Sequence, residues 1–196
     1  MKAGDALDLS LLGTKPLRAL RKPLGSSQGE LDGQELNPSR IAEIAYNTGP
    51  LWKDANALSM AVAVALAESQ GYTEAFCDNY QDLPKGKKLL SRDVGVWQIN
   101  VKAADLGGKL EASLRDPVVN ARYAYMLYKR RKWQPWVAYN TGTCFHDAYL
   151  QRAVLGVMNF LAEERIADAQ AHDSYQNTTV PIFTINELPY TKKGKS

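Results

Sequence analysis

The sequence predicts a mainly α-helical domain, and three helix starts support that prediction. Asn37-Pro38 and Asp116-Pro117 each place a capping side chain before a proline at the first helical position. The third start, at Asp54 or Asn56, precedes a run of small apolar residues at 58–67. Because this run is nearly all apolar, we expect a helix that is buried on most sides.

The remaining elements follow from capping signals and helix breakers along the chain. Residues 72–94 are expected to form a loop, since they contain Pro84, Gly86 and several polar side chains. Glycines at 49, 71 and 142 are expected to end helices. The expected helices cover about residues 37–49, 54–70, 101–106, 116–131, 135–140 and 146–169.

Three regions are expected along the chain of 196 residues. Residues 1–36 are rich in Gly, Lys and Ser and suggest an N-terminal arm, while residues 37–170 hold the helical domain. Residues 171–196 are rich in β-favouring side chains and prolines, so they are expected to form an extended C-terminal tail. Hydrophobic residues make up 45% of the chain, which is enough for one buried core.

Composition excludes several functional classes. The net charge of +3, without a long basic stripe, does not suggest nucleic-acid binding, and no apolar stretch is long enough to span a membrane. Two cysteines and two histidines without ligand spacing predict neither a metal site nor another cofactor. Cys77 and Cys144 either pair as one disulfide or stay as free thiols, and the sequence leaves both open.

Glu68 is the strongest candidate for a catalytic residue. It lies in the last turn of the apolar helix, where burial and the negative helix end both disfavour a charged carboxylate. A carboxyl group that keeps its proton near neutral pH can act as a general acid. The alternative is an exposed glutamate at a helix end, and two further segments favour the catalytic interpretation.

Both further segments combine aromatic rings with amide groups, a mixture that suits sugars. In the segment 95–100, Trp97 offers an apolar plate, and Gln98 and Asn100 offer hydrogen bonds. In the segment 133–142, Tyr139 could position a neighbouring carboxyl group and Asn140 could bind an amide. Core packing and helix capping are the alternative explanations for these residues.

Taken together and in this order, the segments resemble the lytic transglycosylase family, which has a lysozyme-like fold and cleaves peptidoglycan glycan strands. The resemblance covers about residues 38–155 and includes Glu68-Ser69, the segment 95–100, Asp116-Pro117 and the segment 138–142. It implies Glu68 as the catalytic acid and base. The implied substrate-binding residues are Ser69, Trp97, Gln98, Asn100, Tyr139 and Asn140, with Tyr139 and Asn140 facing Glu68.

The chain departs from the family pattern in three places. Arg92-Asp93 stands where small residues are common, Thr141 replaces an alanine, and the sequence after Gly142 does not follow the family. The end of the cleft beyond Gly142 is therefore less well predicted than the rest.

The resemblance implies cleavage of the β-1,4 bond between N-acetylmuramic acid and N-acetylglucosamine, with Glu68 as the only catalytic carboxyl group. The first alternative is inverting hydrolysis, which needs a second carboxylate about 6.5–9.5 Å from the first. Asp93 is the best candidate for it, followed by Asp78 and Asp82. The other alternative is a non-catalytic wall-binding or structural subunit on the same scaffold.

The expected setting is a phage particle that opens the bacterial wall, as a tail or internal virion protein. Residues 1–8 lack the pattern of a signal peptide, so delivery by a particle, a secretion machine or lysis is expected. Residues 1–36 and 171–196 are then the expected contacts with other virion or secretion-complex subunits. The alternatives are a conjugation or secretion accessory enzyme, and synthesis in the host cytoplasm followed by action at the wall.

Overall fold

The computed structural model describes the backbone of residues 28–176 and the side chains of residues 29–170. Most of the predicted arm (residues 1–27) and of the predicted tail (residues 177–196) lies outside the described residues. The chain divides into two compact units, and the described part of the first unit is residues 28–161. The second unit begins at residue 162.

The described residues are mainly helical, as the sequence predicts. The α-helices are α1 (Pro38–Thr48), α2 (Ala55–Ser69), α3 (Lys109–Ser113), α4 (Pro117–Arg131), α5 (Val137–Asn140) and α6 (Asp147–Gln176). Three short 3-10 helices occupy Pro50–Trp52, Ala103–Asp105 and Thr143–Phe145. None of the described helices is both long and apolar enough to cross a membrane.

The predicted helix starts are confirmed by their capping hydrogen bonds. The Asn37 side chain accepts the Arg40 N–H at 2.8 Å, and the side chain of Asp116 accepts two N–H groups of α4. Asp54, rather than Asn56, caps α2. At the other end of α2, Gln70 takes a left-handed conformation (φ 57°) that ends the helix.

The predicted loop at 72–94 is wrong, because these residues form a β-hairpin. Its strands are β2 (Phe76–Leu83) and β3 (Gly86–Val94). Together with β1 (Gln28–Glu30) and β4 (Ile99–Lys102) they make an antiparallel sheet in the order β1-β2-β3-β4. The predicted helix at 101–106 is also wrong, since β4 and a 3-10 turn occupy that stretch.

The hairpin escaped prediction because its strands do not alternate apolar and polar side chains. Most side chains from 80 to 90 are at least partly exposed, so no buried stripe marks the strands. Cross-strand pairs hold it together, among them Cys77 opposite Asp93 and Asp78 opposite Arg92. Since side chains alternate along a strand, Asp93 and Arg92 point to opposite faces of the sheet.

The core is built around α2, whose residues from Ala61 to Leu66 are all fully buried. Helix α1 packs against α2 and α4. The buried Trp52 ring lies 5.9 Å from Trp97 and 6.3 Å from Trp133, stacked on both. This aromatic stack joins the core to the segment that carries Tyr139.

The edges of the predicted domain differ from the structure in two details. Residues 28–30 pair with β2, and Leu36 is buried, so the end of the predicted arm is folded. The final helix continues to Gln176, so residues 171–176 are helical rather than extended. The wider division into arm, domain and tail stays a prediction.

Candidate active site

Glu68 is half-buried in the last turn of α2 and receives one hydrogen bond from the described protein. Its Oε1 atom accepts the Ala138 backbone N–H at 2.9 Å. Ala138 lies in the first turn of α5, where backbone N–H groups have no partner within the helix. The end of α2 and the start of α5 therefore meet at the Glu68 carboxyl group.

The pKa of Glu68 is raised above the ordinary value for a glutamate. Burial is the largest cause, the Ala138 N–H opposes it, and the negative charge of Asp93 adds to the rise. No lysine or arginine among residues 29–170 forms an ion pair with Glu68. The surroundings thus favour a protonated side chain that can donate to an ether oxygen.

A chain of indole hydrogen bonds fixes the segment that contacts Glu68. The Trp136 indole N–H donates to the Trp97 carbonyl at 2.8 Å, and the Trp97 indole N–H donates to the Ala61 carbonyl at 3.0 Å. Because Ala61 and Glu68 belong to the same helix, these bonds hold Ala138 in register with Glu68.

The turn at 95–98 is held by the buried side chain of Asn120. Its Oδ1 accepts the Trp97 N–H at 2.8 Å, while its Nδ2 donates to the carbonyls of Val94 and Leu114 at 2.8 and 2.9 Å. Gly95 has a φ of +78°, and a Cβ there would lie only 2.3 Å from Asn120 Nδ2. Both the conformation and the space therefore require glycine.

Trp97 and Ser69 lie inside the protein, not in contact with solvent. Both have a relative exposure of 0%. The Ser69 hydroxyl donates to the Val96 carbonyl at 2.8 Å, which ties the end of α2 to the turn. Neither side chain has a surface for a sugar in this structure, so the expected direct contacts are corrected to supporting roles.

Gln98 is half-buried and takes a left-handed conformation with a φ of 47°. Its Nε2 donates to the carbonyls of Ala75 and Gly95 at 3.0 and 2.8 Å. These bonds fix the side chain, and its Oε1 has no hydrogen-bond partner among the described residues. Substrate binding by Gln98 stays a prediction, with Oε1 as the available acceptor.

Asp93 belongs to a cluster of four polar residues on one face of the sheet. Its Oδ1 accepts Asn100 Nδ2 at 2.6 Å, and its Oδ2 accepts Asn79 Nδ2 at 2.8 Å. Both amides also reach Ser91 Oγ, at 2.9 Å from Asn100 and 3.3 Å from Asn79. Asn100 is exposed, so its predicted contact with substrate stays open to test.

Asp78 and Asp82, the other predicted second carboxylates, lie elsewhere. Asp78 pairs with Arg92 on the opposite face of the sheet, with an Oδ1–Nε distance of 2.6 Å. Asp82 is exposed near the tip of the hairpin, opposite Lys87. Of the three aspartates, only Asp93 is among the groups that shift the pKa of Glu68.

Tyr139 and Asn140 flank the backbone that binds Glu68, but neither side chain hydrogen-bonds to Glu68. The half-buried Tyr139 ring packs 5.3 Å from Phe145 and 6.1 Å from Trp133. The Asn140 amide donates to the Gln134 carbonyl at 2.8 Å and remains exposed. The role expected for the tyrosine hydroxyl is filled here by the Ala138 N–H.

Both cysteines are free thiols, which answers the question that the sequence left open. Cys144 is buried, and burial raises the pKa of its thiol to about 11, with the nearby Glu68 charge adding to the effect. It contacts Met60 through sulfur at 3.9 Å. Among the described residues, no group of His, Cys, Asp and Glu side chains is placed to hold a metal ion.

Two parts of the site were not predicted from the sequence. The Ala138 N–H carries no side-chain signal, and only the position of Trp136-Val137 as a helix start could have indicated it. The hydrogen bond between Asn79 and Asp93 depends on the hairpin. It could have been predicted only by recognising residues 84–86 as the turn between two strands.

Comparison with known proteins agrees with this geometry. Residues 42–138 match a family model described as a lysozyme like domain. That segment is therefore a lysozyme-like domain, and the predicted fold class is confirmed. The matched residues include Glu68, the turn at 95–98 and Ala138, so the match supports an enzyme that cleaves peptidoglycan. No curated protein and no solved structure matches the chain.

Proposed function

We propose that this protein is a peptidoglycan lytic transglycosylase in which Glu68 acts as both general acid and general base. It cleaves the β-1,4 bond between N-acetylmuramic acid and N-acetylglucosamine and so opens the bacterial wall locally. The observation that carries the proposal is the environment of Glu68. This carboxyl group is half-buried, has no cationic partner among the described residues, and is held by a single backbone N–H.

In the first step, protonated Glu68 donates its proton to the glycosidic oxygen, and the bond to the muramyl C1 breaks. Positive charge develops at C1, and the substrate's own N-acetyl oxygen stabilises it. In the second step, ionised Glu68 removes the proton of the muramyl 6-hydroxyl, whose oxygen bonds to C1. The products are a 1,6-anhydromuramyl end and a free N-acetylglucosamine end, and Glu68 regains its proton.

The hydrogen bonds of Asp93 favour this mechanism with one carboxyl group. Both Asp93 oxygens already accept an amide N–H, from Asn100 and Asn79. A water molecule placed for attack would therefore have to share an Asp93 oxygen with one of these amides.

Inverting hydrolysis is the second candidate, and the charge of Asp93 near Glu68 is the observation in its favour. In that reaction Asp93 would remove a proton from water as Glu68 protonates the leaving oxygen. The product would then carry a reducing N-acetylmuramic acid end.

The products of purified peptidoglycan digestion decide between the two reactions. We expect mass spectrometry to find 1,6-anhydromuramyl ends, and a digest with reducing ends alone would reject the transglycosylase proposal. Glu68→Gln keeps the size and the neutral charge of the protonated side chain, and should lower kcat/KM by about 10²–10⁴-fold. A Glu68→Gln variant that is folded and fully active would instead favour the non-catalytic alternative.

The virion setting stays a prediction. Detection of the chain by mass spectrometry in purified particles, rather than only in lysates of infected cells, would test it. The predicted contacts through residues 1–36 and 171–196 would be tested by removing each segment and measuring incorporation into particles.

A further inference from the structure

Phe145 carries the only exposed aromatic ring among residues 29–170. Its relative exposure is 44%, whereas every other Trp, Tyr and Phe in that range is buried or half-buried. The preceding residue, Cys144, is fully buried, so the turn that carries Phe145 packs on the core while this ring faces outward. The ring therefore leaves apolar area in water that a bound ligand would cover.

The position of Phe145 is fixed by the turn that carries it. Phe145 ends the 3-10 helix Thr143–Phe145, and its N–H donates to the Gly142 carbonyl at 3.1 Å. On the inner side of the turn, the Cys144 thiol contacts the Met60 sulfur of α2 at 3.9 Å. A side chain that is already held in place loses little conformational freedom when a ligand binds to it.

A line of aromatic rings connects Phe145 to the core. The ring centroids are 6.3 Å apart between Trp52 and Trp133, 6.1 Å between Trp133 and Tyr139, and 5.3 Å between Tyr139 and Phe145. These separations are those of aromatic pairs in contact. The Phe145 ring is tilted by 54° against Tyr139, so it has a supporting ring behind it and still remains partly open to solvent.

The exposed ring is linked to Glu68 by direct contacts. The Ala138 N–H donates to Glu68 Oε1 at 2.9 Å, and Tyr139 is the next residue in the chain. The Tyr139 ring is the one that Phe145 contacts. One hydrogen bond, one peptide bond and one ring contact thus separate the carboxyl group from Phe145, so a polymer bound at Glu68 passes near this ring.

Two polar groups beside Phe145 are available to a ligand. The Asn140 amide nitrogen donates to the Gln134 carbonyl, and its Oδ1 has no hydrogen-bond partner among the described residues. The Tyr139 hydroxyl also forms no hydrogen bond with that part of the chain. An apolar ring beside a few polar groups fits a sugar, which has an apolar face and a rim of hydroxyl and N-acetyl groups.

A saccharide fits this surface better than a protein partner does. A stable protein interface buries about 800 Å² on each partner and is centred on several apolar side chains. Phe145 is a single ring, and the exposed residues beside it in the chain are polar or small, namely Thr141, Gly142 and His146.

We propose that Phe145 is a substrate-binding residue whose ring stacks on a sugar of the glycan strand. This inference rests on the proposed function. Asn140 Oδ1 accepts a hydrogen bond from the same saccharide. The sequence after Gly142 departs from the family pattern, so the contact is assigned from the exposure and the ring geometry of this chain. Loss of the ring should weaken binding about 3–10-fold.

The test is calorimetric binding of a soluble oligosaccharide of alternating N-acetylglucosamine and N-acetylmuramic acid that lacks stem peptides. The full chain carries Glu68→Gln, so that the ligand is not cleaved. Adding Phe145→Ala should raise the Kd about 3–10-fold, and Phe145→Tyr, which keeps the ring face, should retain the affinity. In the active chain, Phe145→Ala should raise KM and leave kcat nearly unchanged, because the stack is present in both ground and transition states.

Two further variants separate stacking from other effects. Phe145→Leu keeps an apolar side chain of similar size without a ring, so it should weaken binding as Phe145→Ala does, and it also covers the case in which the alanine variant does not fold. Leu155→Ala is the matched control, since Leu155 is 60% exposed on α6, and it should leave the Kd unchanged. Thermal unfolding checks that each variant is folded.

Four results would overturn the inference. These are an unchanged Kd in folded Phe145→Ala, full affinity in Phe145→Leu, an equal loss in Leu155→Ala, and no binding of the oligosaccharide by the Glu68→Gln chain. Failure of the proposed function is recognised separately, by an active Glu68→Gln variant or by reducing ends alone in the wild-type digest.

Discussion

Carboxyl groups occupy two opposite environments in this domain. Glu68, in the last turn of α2, and Asp93, on one face of β3, have no cationic partner among the described residues. On the other face, Arg92 lies between Asp78 and Glu111, with guanidinium–carboxylate distances of 2.6 and 3.1 Å. The domain therefore contains one carboxyl group whose surroundings favour its proton and two whose surroundings favour their charge.

The pKa values of these groups shift in opposite directions for clear physical reasons. Burial raises the pKa of Glu68. The hydrogen bond from Arg92 lowers the pKa of Asp78, and the Gly107 N–H, followed by Arg92, lowers the pKa of Glu111. Burial alone does not determine the charge of a carboxyl group, because Glu111 is also buried. Glu111 has a cationic partner, Arg92, whereas Glu68 has only the neutral Ala138 N–H.

Breaking the ionised cluster should have the largest effect on stability. Arg92→Met leaves two nearly buried carboxylates, Asp78 and Glu111, without their guanidinium partner. It also removes the stacking of Arg92 on the Phe76 ring, at 4.4 Å. We expect the free energy of unfolding to fall by about 3 kcal/mol, as when one member of a buried ion pair is removed. Urea denaturation at neutral pH measures this change.

Arg40→Gln is the matched control, because Arg40 pairs with Glu43 on the exposed surface of α1. An exposed ion pair contributes about 0–1 kcal/mol, so this variant should be close to wild type. Equal losses of unfolding free energy for Arg92→Met and Arg40→Gln would show that the buried Arg92 cluster stabilises the fold no more than an exposed ion pair does.

The carboxyl groups of the two environments should also contribute to the pH dependence of stability with opposite signs. This effect should be smaller than the loss caused by Arg92→Met. The lowered pKa values of Asp78 and Glu111 stabilise the fold above their ordinary values of about 4, and this contribution is lost as the pH falls through the folded-state values. The raised pKa of Glu68 has the reverse sign. Its contribution is present below the ordinary glutamate value and is lost as the pH rises through the folded-state value.

Melting temperatures of wild type, Glu68→Gln and Asp78→Asn from acid to alkaline pH separate these contributions. Glu68→Gln should gain stability relative to wild type as the pH rises, since it cannot acquire the buried charge. The melting temperature of Asp78→Asn should change less between acid and neutral pH than that of wild type. If the melting temperatures of all three proteins followed parallel curves against pH, neither Glu68 nor Asp78 would contribute to the pH dependence of stability.

The sequence predicted the helical scaffold better than the sheet, for physical reasons that can be named. Asn37, Asp54 and Asp116 act within one turn of their own residues, so local pattern was enough to locate α1, α2 and α4. The hairpin depends on pairing between residues such as Asp78 and Arg92, which are distant in sequence. Without a buried apolar stripe, local pattern gave no sign of that pairing.

The same distinction applies to the site. Glu68 could be identified because its helix and its apolar neighbours are adjacent in sequence. Its hydrogen-bond donor is a backbone group 70 residues away, and backbone groups look alike in every sequence. Trp97 was expected to face a sugar, but the indole N–H to Ala61 requires it to turn into the core.

The most direct test of the central claim is a titration of Glu68 itself. In protein with ¹³C-labelled glutamate side chains, the carboxyl signal that is absent from Glu68→Gln is assigned to Glu68 and followed by NMR as the pH changes. We expect its midpoint to lie above the ordinary glutamate pKa of about 4.3, with the midpoint of Glu111 below that value. A Glu68 midpoint at or below the ordinary value, in folded protein, would contradict the account.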